Sequence, residues 1–303
     1  SVVASPQEMV VAAPHIIATV RAHGAAGLEA FALAFYGQAL VGIGQVGRGM
    51  ARLDDAMTMT TSGEVGDYAV ISEVFCVMLS ACELAGDLVR SDLWCRTARE
   101  FAEKHQCPFL SAYCRTSYGG LMTALGRWGD AEASLREAIE AFEQGHRGLR
   151  VHALIKLADL RVCQGRIEEA KVMLDGLEDQ SAAVIPLARL YLQRGDPALA
   201  RAVLEGSLPS SPTSYTLYHF STLLMLTEVA LVMHDMEAAA SILSEMERLV
   251  AQSGSSLMAA QLAFVRGNLD LQQGDGAAEA FPPRFGAGRA AGGLGRLLGQ
   301  AVQ

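Results

Sequence analysis

Apolar residues recur at three- and four-residue intervals along most of the chain, in long stretches broken by short polar turns, and no strand-length alternation of apolar and polar positions competes. The pattern predicts helices joined in hairpins. A marker residue sits at the turn of successive hairpins: Gly44, Gly86, Gly126, Gly165, Gly195, His234 and Gly274. The markers stand about 40 residues apart, except for one step of about 30 between Gly165 and Gly195. Seven residues before them lie Gly37, Leu79, Gly119, Ala158, Ala188, Thr227 and Gly267, mostly small. Five after come Gly49, Ser91, Ala131, Ala170, Ala200, Ala239 and Glu279, and nine after come Leu53, Cys95, Leu135, Leu174, Leu204, Leu243 and Pro283. A small residue and a large apolar one a turn apart on one helical face form a close-contact point beside a knob.

The marker has a physical reason. A helix that ends in a left-handed residue favours Gly, and His tolerates that conformation better than most residues. The next helix needs a cap, which Asp87, Asp130, Asp196 and Asp275 are placed to supply, with Pro197 in a first turn where its missing N–H costs nothing. First helices are predicted near 28–43, 67–85, 107–125, 147–164, 182–194, 214–233 and 256–273. Stacked repeats of this kind touch only their neighbours in sequence.

These residues resemble the tetratricopeptide repeat, most plainly from Tyr118-Gly119-Gly120-Leu121 through Gly126-Arg127-Trp128-Gly129-Asp130-Ala131-Glu132 to Leu135 and Ala138-Ile139. The spacing of about 40, in place of about 34 for the family at large, is similar to the long-helix repeats in the C-terminal sensor regions of ATP-dependent, LuxR-type, maltose-activator-like bacterial regulators. Leu79 to Asp87, followed by Trp94-Cys95, resembles their actinobacterial members. The resemblance implies an all-α, right-handed superhelix (solenoid) of about seven antiparallel helix pairs. It divides the chain into a partial leading repeat (1–27), the array (28–280) and a Gly/Ala/Arg-rich tail (281–303).

The resemblance also implies a groove lined by the first helix of each pair, at positions 13, 10, 6, 3 and 2 before the marker. Carried over, those positions are Glu73, Ser80 and Glu83 in the second pair, Tyr113, Thr116 and Thr123 in the third, and His152 and Asp159 in the fourth. Arg189 and Gln193, Ser221 and Glu228, and Gln261 and Asn268 follow in the last three. A solvated helix face has the same polar composition.

The ends leave the pattern. Residues 8–22 form a lone amphipathic helix, and an apolar edge is expected there from Met9, Val10, Val11, Ile16, Ile17 and Val20. At the far end Leu262, Phe264, Val265, Leu269 and Leu271 are expected to do the same. Self-association through the array ends follows as an expectation, since uncapped repeats leave apolar surface.

Composition narrows the function classes. Lys and Arg number 24 against 33 acids, a formal net charge of -9, and the last three arginines (Arg284, Arg289, Arg296) follow the last acid. The array is therefore acidic, the opposite of a nucleic-acid footprint. No uninterrupted apolar run reaches the roughly 18 residues of a membrane span. Six cysteines scattered in helical stretches, with no C-x-x-C pair and no secretory signal, predict reduced thiols in the cytoplasm and core packing in preference to a zinc site.

Gly42-Ile43-Gly44-Gln45-Val46-Gly47 matches the G-x-G-x-x-G dinucleotide fingerprint, but a helix is predicted where the motif needs a strand, so a hairpin turn is expected. Trp94 and Trp128 are expected to pack. Tyr215, Tyr218 and His219, after the Ser/Pro stretch 207–212, divide evenly between packing and ligand contact. No catalytic constellation, metal or cofactor is predicted. The chain reads as a non-catalytic binding module, the sensor or interaction region of a bacterial transcriptional regulator, taking a protein or peptide in its groove. The alternatives are a small-molecule inducer domain and, less favoured, a cofactor-dependent enzyme using the Gly42–Gly47 segment.

Overall fold

The computed structural model describes residues 5–208, 216–253 and 255–274, the last four by backbone alone, and among them are fourteen α-helices, one 3-10 turn (Ser181–Ala183) and no strand. A leading helix, α1 (Pro6–Ala22), precedes the hairpins α2 (Ala26–Gly42) with α3 (Val46–Thr61), α4 (Tyr68–Ala85) with α5 (Leu88–Lys104), and α6 (Pro108–Ala124) with α7 (Trp128–Gln144). Next come α8 (Arg147–Cys163) with α9 (Ile167–Leu174), α10 (Val184–Gln193) with α11 (Pro197–Ser207), and α12 (Thr216–Val232) with α13 (Met236–Ser253). The last described helix is α14 (Ser256–Gly274). The predicted first helices match α2, α4, α6, α8, α10, α12 and α14 to within about two residues, the usual scatter of helix ends. The short repeat step from Gly165 to Gly195 is explained by α9 and α10, which have 8 and 10 residues.

Each internal marker adopts positive φ, from 56° at His234 to 89° at Gly44. The closure repeats: the Gly44 N–H donates to the Val41 carbonyl and the Gln45 N–H to that of Leu40, both at 2.9 Å, and His234 and Asp235 donate to Leu231 and Ala230 in the same way. This is the left-handed helix end that uses carbonyls otherwise left without donors. Asp87 and Asp196 cap as expected, accepting from the Arg90 and Leu199 N–H groups at 3.0 and 3.2 Å. Asp235 does so too, for Ala238. Asp130 does not: α7 starts at Trp128, which puts Asp130 inside the first turn, where Arg127 donates to it at 2.8 Å. There the carboxylate still suits the positive helix end. Asp275 lies outside the described residues.

The three columns form the seam of each hairpin. Gly37, Leu79, Gly119, Ala158, Ala188 and Thr227 are buried, as are Gly49, Ser91, Ala131, Ala170, Ala200 and Ala239 opposite them. A Cβ built on Gly49 would lie 2.5 Å from the Gly37 carbonyl oxygen, and one on Gly37 would lie 2.7 Å from both the Gly49 oxygen and Leu53 Cγ. Thr227 fits the same place by turning its hydroxyl back to the Leu223 carbonyl (2.9 Å). Leu79 is the one large residue in its column, and it too is buried. In the last hairpin Gly267 is exposed, and Glu279 and Pro283 lie outside the described residues.

The chain divides into two compact units. Of the described residues, the first comprises 5–117, 216–220, 248–253 and 255–259, and the second 118–208, 221–247 and 260–274. Within the first unit, α4 packs against α2, α3 and α5. α4 is also long and apolar enough to cross a membrane, which counting uninterrupted apolar runs missed, yet 61% of that stretch is buried. The expectation of neighbour-only contacts fails in this unit. A Cβ at Gly44 would fall 2.5 Å from that of Ser253, and one at Gly86 would fall 3.3 Å from Leu257, so the segment 248–259 meets the turns of the first two pairs. Local periodicity carries no information about so distant a contact.

Within the second unit, Arg161 on α8 has a fully buried side chain that donates to both Glu132 carboxylate oxygens on α7 (2.7 and 2.6 Å) and lies 3.2 Å from Glu169 on α9. The Arg161 bond, opposed by desolvation, takes the Glu132 carboxyl down to about 2. A buried guanidinium is tolerable only with such partners. The far edge is better covered than expected: Leu269 packs with Ala230 and Ala239, Val265 is also buried, and Leu262 and Phe264 are half-buried. The Leu271 side chain lies outside the described residues, as does the 281–303 tail. At the near edge Val11 is 81% exposed and Ile16 is exposed, whereas Ile17 is buried.

The seam generates a sharp expectation. Gly49→Ala should destabilise the protein by about 1–3 kcal/mol in urea unfolding, because the added methyl meets backbone and the seam cannot relax around it. Gly47→Ala, in the same helix with nothing within 4 Å, should be neutral or stabilise by up to about 1 kcal/mol. Equal effects at the two positions would refute the close-approach account.

Candidate functional site

The Gly42–Gly47 segment is settled by its context. Gly42 ends α2, Gly44 is the left-handed turn residue, and α3 begins at Val46, so a helix occupies the place of the strand the dinucleotide fingerprint requires. The enzyme alternative resting on that segment loses its basis. Among the described residues no group of three or more His, Cys, Asp and Glu is placed to hold a metal ion. All six cysteines are free; Cys76, Cys82, Cys95 and Cys114 are buried, and burial pushes the Cys82 and Cys95 thiols up to about 12. Thiols held protonated in this way are poor nucleophiles and poor ligands.

The first helices do bring the predicted side chains together, though unevenly. In the first unit, Gln38 on α2 donates to Ser80 on α4 at 3.3 Å, both being six residues before their markers. Burial pushes the Tyr113 phenol up, and Cys76, Glu83 and Glu73 push in the same direction, so α4 and α6 place these groups within electrostatic reach of one another. Thr116 and Thr123 are buried, and their hydroxyls donate to the Ala112 and Gly119 carbonyls at 3.0 and 2.9 Å. Those two residues are used inside their own helix.

In the second unit the same six-before-marker column carries charge across three successive first helices: Asp159 on α8, Arg189 on α10 and Glu228 on α12. Arg189 Nη1 donates to both Asp159 oxygens, at 2.8 and 3.1 Å, and the Asp159 charge raises the guanidinium's affinity for its proton. Burial pushes the Glu228 carboxyl up to about 7, against the pull of Arg189. One repeat earlier in the same column, bare Gly120 leaves space where a Cβ would be 3.0 Å from Lys156 Nζ. His152 and Ser221 are exposed, while Gln193, Gln261 and Asn268 are half-buried. The Asp159–Arg189 pair was legible only as two column members. Gln38 and Lys156 were not singled out, although Gln38 lies in the column and the repeat register alone locates it.

The aromatic expectations divide. Trp94 stands edge-on to Phe75 with centroids 6.2 Å apart, as packing predicts. Trp128 is half-buried with its indole N–H lacking a hydrogen-bond partner. Tyr215 is outside the described residues, and Tyr218 and His219 are half-buried on α12. An open hollow of about 380 Å3 lies at the α5–α6 junction, lined by Ala102, Glu103, Gln106, Cys107, Pro108 and Ser111, none of them a predicted groove residue.

Glu228 gives the face a pH signature. Below the ordinary carboxylate value the side chain is protonated in both folded and unfolded chains, so burial of its charge costs nothing. As pH rises from about 4.5 through 7 the unfolded chain ionises first and stability from this group is lost. The thermal midpoint of Glu228→Gln minus that of the wild type should therefore increase from pH 5 to pH 8. A difference independent of pH over that range would show that the carboxyl is unperturbed.

By fold the chain is similar to a tetratricopeptide repeat protein from Parabacteroides merdae ATCC 43184, with a TM-score of 0.53 and 17% sequence identity over 86% of this chain and 93% of that one. No family model and no curated protein matches the sequence. The likeness is one of fold: an all-α array of helical hairpins of the tetratricopeptide kind.

Proposed function

We propose that this chain is a non-catalytic binding module whose first helices present the recognition face, and that its partner is a protein or peptide segment. The observation that carries this reading is the column six residues before the marker. Its polar members join helix to helix, Gln38 to Ser80 in one unit and Asp159 to Arg189 in the other. The seam columns beside it are small, buried and used for packing. Repeat folds bind by distributing contacts over such a face, several repeats at a time, and fold alone does not choose the ligand.

The finer assignment is the sensor or interaction region of a LuxR-type bacterial transcriptional regulator, working in the cytoplasm. The repeat of about 40 residues and the Leu79–Asp87 and Trp94-Cys95 stretches support it. Output then lies in other domains of such a regulator.

Random short peptides selected on the protein should protect backbone amides of the first helices α8, α10 and α12 from hydrogen exchange, and their binding should weaken as salt is added. Protection confined to the second helices α7, α9, α11 and α13 would overturn the assignment of the face.

A further inference from the structure

The charged column of the second unit is not uniformly available to a ligand. Asp159 and Arg189 are committed to each other through two hydrogen bonds. Glu228 is different. It is half-buried on α12 within the field of Arg189, and none of the hydrogen bonds of the described residues ends on its carboxylate. A carboxylate partly withdrawn from water and without a protein donor carries a cost, which a ligand that supplies the donor offsets.

The surroundings of Glu228 specify what kind of donor fits. Three and four residues away along α12 lie Leu224, Leu231 and Val232, which share its face by helical spacing, and all three retain exposure. An acceptor flanked by apolar side chains suits a cation carried on an aliphatic stem, whose methylenes cover the leucines while its head reaches the carboxylate. A small hydrated cation leaves that apolar rim uncovered. An anionic or purely apolar side chain leaves the carboxylate without its donor.

We propose that Glu228 receives a single lysine or arginine side chain of a partner segment laid across α8, α10 and α12, with Leu224, Leu231 and Val232 packing its stem. This rests on the reading that the first helices form the binding face. The role of Asp159 is then to hold Arg189 by its two hydrogen bonds, so that the Glu228 carboxylate is left for the partner.

The test uses the full chain and three pools of short random peptides, acetylated and amidated at their ends, whose central residue is fixed as arginine, norleucine or glutamate. The arginine pool should bind the wild type about tenfold more tightly than the norleucine pool, the scale of a charge-assisted hydrogen bond. The glutamate pool should bind weakest. Glu228→Gln, an isosteric change checked for fold by circular dichroism, should bring the arginine pool down to the norleucine level. Glu168→Gln, at an exposed acid on α9, should leave the preference intact. Peptides that protect α8, α10 and α12 from exchange with no preference for arginine, or with a preference that survives Glu228→Gln, overturn the assignment of Glu228 and leave the binding face standing. Failure of every pool to protect those helices overturns both.

Discussion

Everything in this fold depends on how closely the two helices of a hairpin approach. Gly37 and Gly49 face each other at a distance where neither could carry a Cβ without meeting the other's carbonyl oxygen. At Gly119 the room of a side chain is taken by Leu135. The seam is thus made of backbone in contact with backbone or with one large knob, and close packing forfeits stability quickly when such contacts are opened or overfilled. Where the small residue is Ala the contact is looser but still closed to water, as the full burial of Ala158, Ala170, Ala188 and Ala200 shows. With both seam positions consumed by packing, a first helix has only its remaining side to offer outward, and the column six residues before the marker lies there.

That column shows how a repeat fold obtains chemical variety from a monotonous frame. Its backbone places are set by the register, while its side chains run through amide, hydroxyl, glycine, carboxylate, guanidinium and carboxylate from Gln38 to Glu228. Where neighbours are complementary they pair, as Asp159 and Arg189 do, and where they are not, a carboxylate such as Glu228 stays perturbed by burial. The Arg161 cluster obeys the same electrostatics for a different end. There the ion is wholly buried, hydrogen-bonded to Glu132 and lying beside Glu169, so it binds three consecutive helices to one another.

The sequence by itself determined the helices, the hairpin register, the turn residues and the seam, because each depends on residues close together in the chain. A left-handed turn selects Gly or, at His234, a residue that tolerates positive φ, and a helix seam selects small residues at a fixed offset. These demands are met within a single hairpin and recur, so periodicity reveals them. Tertiary structure decided the rest. It decided which column members meet, since Asp159 and Arg189 are 30 residues apart and stand on separate helices, α8 and α10. It also decided that Thr116 and Thr123 turn inward, and that residues 248–259 reach the turns at Gly44 and Gly86. Contacts of that kind join residues far apart in the chain, and no local pattern of apolar and polar positions encodes them.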